Sequence, residues 1–161
     1  MTYINKSNLK NPKYLVTTYT SSQTTSDLAN TFITISGSEI TYTPSSDASK
    51  VIYEISFYAE QKNGRFFQCI QLEEYDGSSW SEINEKFRKN IGPASGGTNQ
   101  NNRYYIYFRY ILPTWSGSKQ LRLRTSDRDP NQAVSLHQLT EWDGASATDQ
   151  FCNTNLLMYS I

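Results

Sequence analysis

Apolar side chains recur at every second position through most of this chain, and that pattern closes off most of the folds open to it. Val51, Tyr53, Ile55 and Phe57 alternate with Glu54, Ser56 and Tyr58, and Leu121 and Leu123 alternate with Arg122 and Arg124. A period of two puts the two sets on opposite sides of an extended strand, one facing a core and one facing water. No stretch of helical length carries a sustained apolar stripe at the i, i+3, i+4 spacing. Runs enriched in Val, Ile, Thr, Tyr and Phe predict strands over 13–20, 31–35, 38–43, 50–60, 65–75, 80–87, 103–112, 119–125, 133–142 and 153–161. Between them lie clusters such as TPSSDASK, QKNG, YDGSS and WDGASATD, which supply the Gly, Pro, Asn and Asp that reversals need.

Many short strands separated by turns read as an all-β antiparallel sandwich of jelly-roll type. At 161 residues the chain fits one domain with one core. Residues 1–12 are expected to form a polar N-terminal arm and residues 13–161 a single β-sandwich. The longest polar segment, 92–102, reads as a surface loop, because a boundary there would leave halves too small for separate cores.

Two strands break the one-sided rule. In 103–112 the set Tyr104, Ile106, Phe108, Tyr110 and Leu112 is apolar, but Tyr105, Tyr107 and Ile111 on the other side are apolar too. In the last strand Leu156 and Met158 alternate with Leu157, Tyr159 and Ile161. A two-layer sandwich covers only one face of each sheet, so the second face calls for another cover. Another subunit, a loop of the same chain, or the tolerance of tyrosine for exposure would each account for it. The subunit reading makes Tyr105, Tyr107, Ile111, Leu157, Tyr159 and Ile161 candidate interface residues.

The run ITYTPSSDASKVIYEISFYAE at 40–60, with SLHQLTEWDG at 135–144 and NTNLLMYSI at 153–161, resembles trimeric jelly-roll domains similar to C1q and tumour necrosis factor. Such domains occur at the ends of fibre or tail proteins of bacteriophages and aquatic viruses. The resemblance implies a homotrimer with one sheet around a threefold axis and the C-terminal strand in the middle of that sheet. It implies a virion structural or host-attachment role, with other virion proteins and a host-surface glycan or protein as partners, and no shared catalytic residues.

The residues themselves offer little chemistry. Lys plus Arg and Asp plus Glu number 15 each, so no net field draws the chain to nucleic acid. No apolar run reaches the roughly 20 residues of a membrane helix, and the first residues lack a secretory signal's charged-then-apolar order. Catalysis, a cofactor and a metal are all unexpected: His137 is the single histidine, expected to be structural, and Cys69 and Cys152 lack a ligand-type spacing, reading as free thiols. Glu73, Glu74 and Asp76 read as a wet strand end, and Asp127, Asp129 and Asn131 as a turn. Trp80 and Trp115, in or beside loops, are either lids over the core or platforms for a ligand, with Asn99 and Asn101 as further candidate contacts. The competing function is therefore a monomeric carbohydrate-binding β-sandwich.

Overall fold

The computed structural model describes residues 9–25, 31–61, 68–84, 89–91, 102–127, 134–142 and 144–161. Strands occupy Lys10–Thr17 (β1), Gln23–Thr24 (β2), Ile33–Thr34 (β3), Ile40–Tyr42 (β4), Val51–Gln61 (β5), Gln68–Tyr75 (β6) and Trp80–Glu82 (β7). They continue with Lys89–Ile91 (β8), Asn102–Leu112 (β9), Lys119–Asp127 (β10), Ser135–Leu136 (β11), Gln138–Trp142 (β12), Ala147–Phe151 (β13) and Thr154–Ser160 (β14). Every pairing is antiparallel.

In the first sheet β14 lies between β1 and β5, and β9 runs along the other edge of β5, giving the order β1-β14-β5-β9. Short β11 and β2 extend it beside the far end of β5. In the second sheet β3 and β4 share one edge of β10, while β7 and β8 share the far edge of β6. Taking each shared edge as one interrupted strand, the second order is β3/β4-β10-β6-β7/β8. These paired orders are those of an eight-position jelly roll, in which the chain crosses between two sheets in Greek keys. The expected fold class is therefore observed.

The core forms where the inner faces meet. Val51, Tyr53, Ile55 and Phe57 of β5 and Leu156 and Met158 of β14 pack against Ile70 and Leu72 of β6 and Leu121 and Leu123 of β10. Each large side chain so buried contributes roughly 1.5–3 kcal/mol. Tyr53 keeps its hydroxyl inside by donating to the Ser38 carbonyl at 2.5 Å. Ser38 in turn joins the Leu123 backbone through both its donor and its acceptor.

One turn depends on glycine. Gly37 has φ 74°, and a Cβ added there would lie 2.5 Å from the Tyr19 hydroxyl and 2.8 Å from Thr17 Oγ1. That hydroxyl cannot retreat freely, because it donates to the Ser36 carbonyl at 2.7 Å and meets Thr154 Oγ1 at 3.1 Å. We expect Gly37→Ala to cost about 2 kcal/mol or more. Urea unfolding would show it as a lower midpoint; an unchanged midpoint would mean that the turn has another conformation to adopt.

Some boundaries differ from expectation. The sheet begins at Lys10, inside the expected arm, and the bulge between Lys10 and Lys13 lets Pro12 sit in an edge strand that need not donate there. The predicted strand 133–142 is broken into β11 and β12 at His137, whose φ is 64°. His137 therefore does not share a continuous strand face with Ser135 and Leu139. β13 lies where only turn residues were read, because Ala147–Phe151 pairs with β12 as a wet hairpin that lacks an apolar alternation.

Candidate interaction surface

On the outward side of the first sheet, strand pairing sets side chains in rows. Tyr14 stands beside Leu157, Glu54 and Arg109, and Val16 beside Asn155, Ser56 and Tyr107. Tyr14 and Tyr105 are 60% and 59% exposed, Ile111 54%, Tyr107 53% and Val16 48%. Tyr105 leans on Tyr58 with ring centroids 5.0 Å apart. Between the β1 and β9 ridges runs a groove of about 180 Å³ lined by Tyr14, Glu54, Ser56, Tyr107, Asn155 and Leu157.

A polar cluster crosses the middle of this face. Arg109 pairs with Glu54 at 3.1 Å, and the Tyr159 hydroxyl donates to the same carboxylate at 2.9 Å while accepting from Arg109 at 3.2 Å. Burial, then the bond to Glu54, pushes the Tyr159 hydroxyl up to about 12. Burial and the Glu54 charge likewise raise Tyr107. Glu54 and Arg109 thus answer each other in the middle of the face.

The outward side of the second sheet is built differently. Glu73 is buried there, held by Arg122 at 2.9 Å and Arg124 at 3.2 Å and accepting from Gln71 Nε2 at 2.7 Å. Trp80 lies 4.0 Å from the Arg122 guanidinium, stacked over it, and Arg124 Nη2 donates to the Phe32 carbonyl. Glu73 is consequently no wet strand end: two cross-strand arginines with a tryptophan lid close over it. This sheet covers its own outer face; the first leaves large rings open.

The first sheet's far end is covered by the chain itself. The buried Glu60 carboxylate pairs with Arg103 at 3.0 Å and accepts from the Thr140 amide and hydroxyl at 2.9 and 2.7 Å, tying the β12–β13 hairpin to β5. A same-chain cover, one of the alternatives for the second face, thus operates at this end and leaves the Tyr14, Val16, Tyr107 and Ile111 region open.

Of the six candidate interface residues, Tyr105, Tyr107 and Ile111 are open, Leu157 and Ile161 are half-buried, and Tyr159 is buried within the Glu54–Arg109 cluster. Tyr14 and Val16 belong to the same surface and were not singled out, although Tyr14-Leu15-Val16 is apolar on both sides of a strand. Trp80 is a lid on an ion pair of the second sheet. Trp115 packs against the core and donates its indole N–H to the Tyr42 carbonyl at 3.4 Å. Asn99, Asn101, Asp129 and Asn131 lie outside the described residues, as does nearly all of the 92–102 loop.

His137 is fully buried. Its ring stacks on Tyr19 at 4.0 Å, meets Phe57 edge-on, and its Nδ1 lies 3.0 Å from Thr154 Oγ1, while Nε2 has no partner among the described residues. Burial pulls its pKa down to about 4, so the ring is neutral. Cys69 and Cys152 are not joined in a disulfide, and each is half-buried. No group of three or more potential metal ligands occurs among the described residues, and no helix among them is long and apolar enough to cross a membrane.

No protein family and no curated protein matches the sequence. Among solved structures, the chain is similar to one from the T13 IBDV viral particle, at 13% identity and a TM-score of 0.41, over 99% of this chain and 39% of that one. It is also similar to a chain of infectious bursal disease virus Gx strain, at 15% identity and a TM-score of 0.29, over 94% and 38% of the two chains. The protein thus spans under two fifths of the length of the chains it matches.

Proposed function

We propose that the protein is a non-catalytic structural or attachment module of a virion, which associates with two copies of itself across the outer face of the β1-β14-β5-β9 sheet. The observation that carries this reading is the contrast between the two outer faces: one closed by Arg, Glu and Trp, the other presenting Tyr14 and Val16 on β1 and Tyr107 and Ile111 on β9, on either side of a groove. Contiguous exposed rings of this kind mark interaction surfaces. A second copy suits the face because Glu54 and Arg109 neutralise each other and the chain's formal net charge is zero, so like faces meet without repulsion.

Closed rotational symmetry is the ordinary outcome for identical chains. The number three, the virion setting and the loop-borne contacts to host or virion partners follow from the resemblance to trimeric viral jelly rolls. Sedimentation equilibrium is the direct test: a mass of three chains is expected, and a mass of one chain across the micromolar range overturns the assembly.

A further inference from the structure

At one end of the sandwich the 113–118 loop stands beside the 43–48 segment, and a cleft of about 540 Å³ opens between them. Small-ligand sites span about 300–1,000 Å³, so this volume holds one or two sugar rings. Its walls carry the hydroxyl residues Thr43, Ser45, Ser46, Thr114 and Ser116, and one aromatic residue, Trp115. Serine and threonine hydroxyls both donate and accept, which suits a ligand whose own groups are hydroxyls.

The ring is held in place before any ligand arrives. Its N–H is committed to the Tyr42 carbonyl and its edge meets the Tyr42 ring at 6.3 Å. Lys119 lies 5.6 Å from the ring and lines a separate apolar cavity of about 50 Å³ beneath it, together with Leu112 and Leu121. Lys119 does not line the cleft.

Charge narrows the ligand further. Lys119, beside the ring, is paired with Glu74 at 2.7 Å, and Asp47, in the 43–48 segment, is paired with Lys10 at 2.8 Å and accepts from the Ser45 hydroxyl. Asp76, on the far side of the same loop, spends its oxygens on Ser78 and Ser79. Every residue lining the cleft is uncharged. We infer that this cleft binds an uncharged hexose unit of a glycan, with its apolar C–H face on Trp115 and its hydroxyls on the surrounding serines and threonines. The inference rests on the proposed attachment role, in which an assembly of three displays the cleft three times and multiplies a weak contact by avidity of roughly 10²–10⁴.

Saturation-transfer NMR and indole fluorescence would be recorded on the intact protein with neutral hexoses and with their sialylated or sulfated counterparts. Signal is expected for neutral sugars, little changed by salt, and weakened about tenfold or more in Ser116→Tyr, which fills the cleft from an exposed position, and in Trp115→Ala. Ser116→Tyr is the decisive variant, because Trp115→Ala also removes core packing. No signal with any neutral sugar, preference for the anionic ones, or binding that survives Ser116→Tyr overturns the cleft. Light scattering on the same samples separates the two proposals: a trimer that binds no sugar loses only the cleft, and a single chain that binds neutral sugar loses only the assembly.

Discussion

Tyr107→Asp combined with Ile111→Asp should turn the proposed assembly into single chains that remain folded. Both residues are more than half exposed in the isolated chain, so their removal from water occurs only on association. Losing two half-exposed side chains forfeits roughly 1 kcal/mol each, and two unpaired carboxylates in a closed interface cost several kcal/mol more. A fall in association of at least about a thousandfold follows. The single chain should still melt in one cooperative transition, at a temperature below that of the assembled parent, because association stabilises only the folded chain. Sedimentation velocity and calorimetry check both halves. An assembly that survives the double variant would remove this face from the interface. Tyr159→Asp, by contrast, should unfold the chain, because Tyr159 is buried and holds Glu54 and Arg109 together.

Acid should weaken the fold through His137. His137 has an ordinary value of 6.5 and is held near 4 by burial, so between those values the unfolded chain binds more protons than the folded one. Stability is fully present above pH 6.5 and declines as pH falls toward 4, by about 3 kcal/mol across the window. The groups packed on the ring, Tyr19, Phe57 and Thr154, carry no charge to offset a proton. Asp47, held by Lys10 and Ser45, and Asp76, held by Ser79 and Ser78, have carboxyls near 2 and titrate below this window. His137→Asn keeps a side chain that tolerates positive φ and removes the titrating ring. The variant should be less stable at pH 7 yet nearly flat between pH 6.5 and 4.5. Urea midpoints at the two pH values decide it: an equal slope in both proteins would assign the acid sensitivity elsewhere.

His137 also shows where local reading stops. AVSLHQLTEW alternates well enough to pass for one strand, but the residue takes a left-handed backbone to bury its ring against Tyr19 and Phe57. Its partner Thr154 is 17 residues away, and Tyr19 lies on the far side of the chain's first strand, outside any local window. Glu73 is a similar case. A Glu-Glu-Tyr-Asp run reads as wet surface, yet the strand register sets Arg122 and Arg124 beside it and Trp80 over Arg122.

The long core strands and their inward faces were legible from the sequence alone, because alternation is a property of each strand and needs no partner. Val51 to Phe57, Leu121 and Leu123, and the two-sided 103–112 and 153–161 strands needed nothing more. Which open residues form one surface was decided only in three dimensions. β14 enters between β1 and β5, and that insertion brings Tyr14 and Val16 to the same face as Tyr107, though they are far apart along the chain. The choice between an outer face that stays open and one that seals itself was tertiary as well. Sealing needs a cross-strand cation, a carboxylate and a ring within a few ångströms, and strand register, which no local pattern encodes, sets those distances.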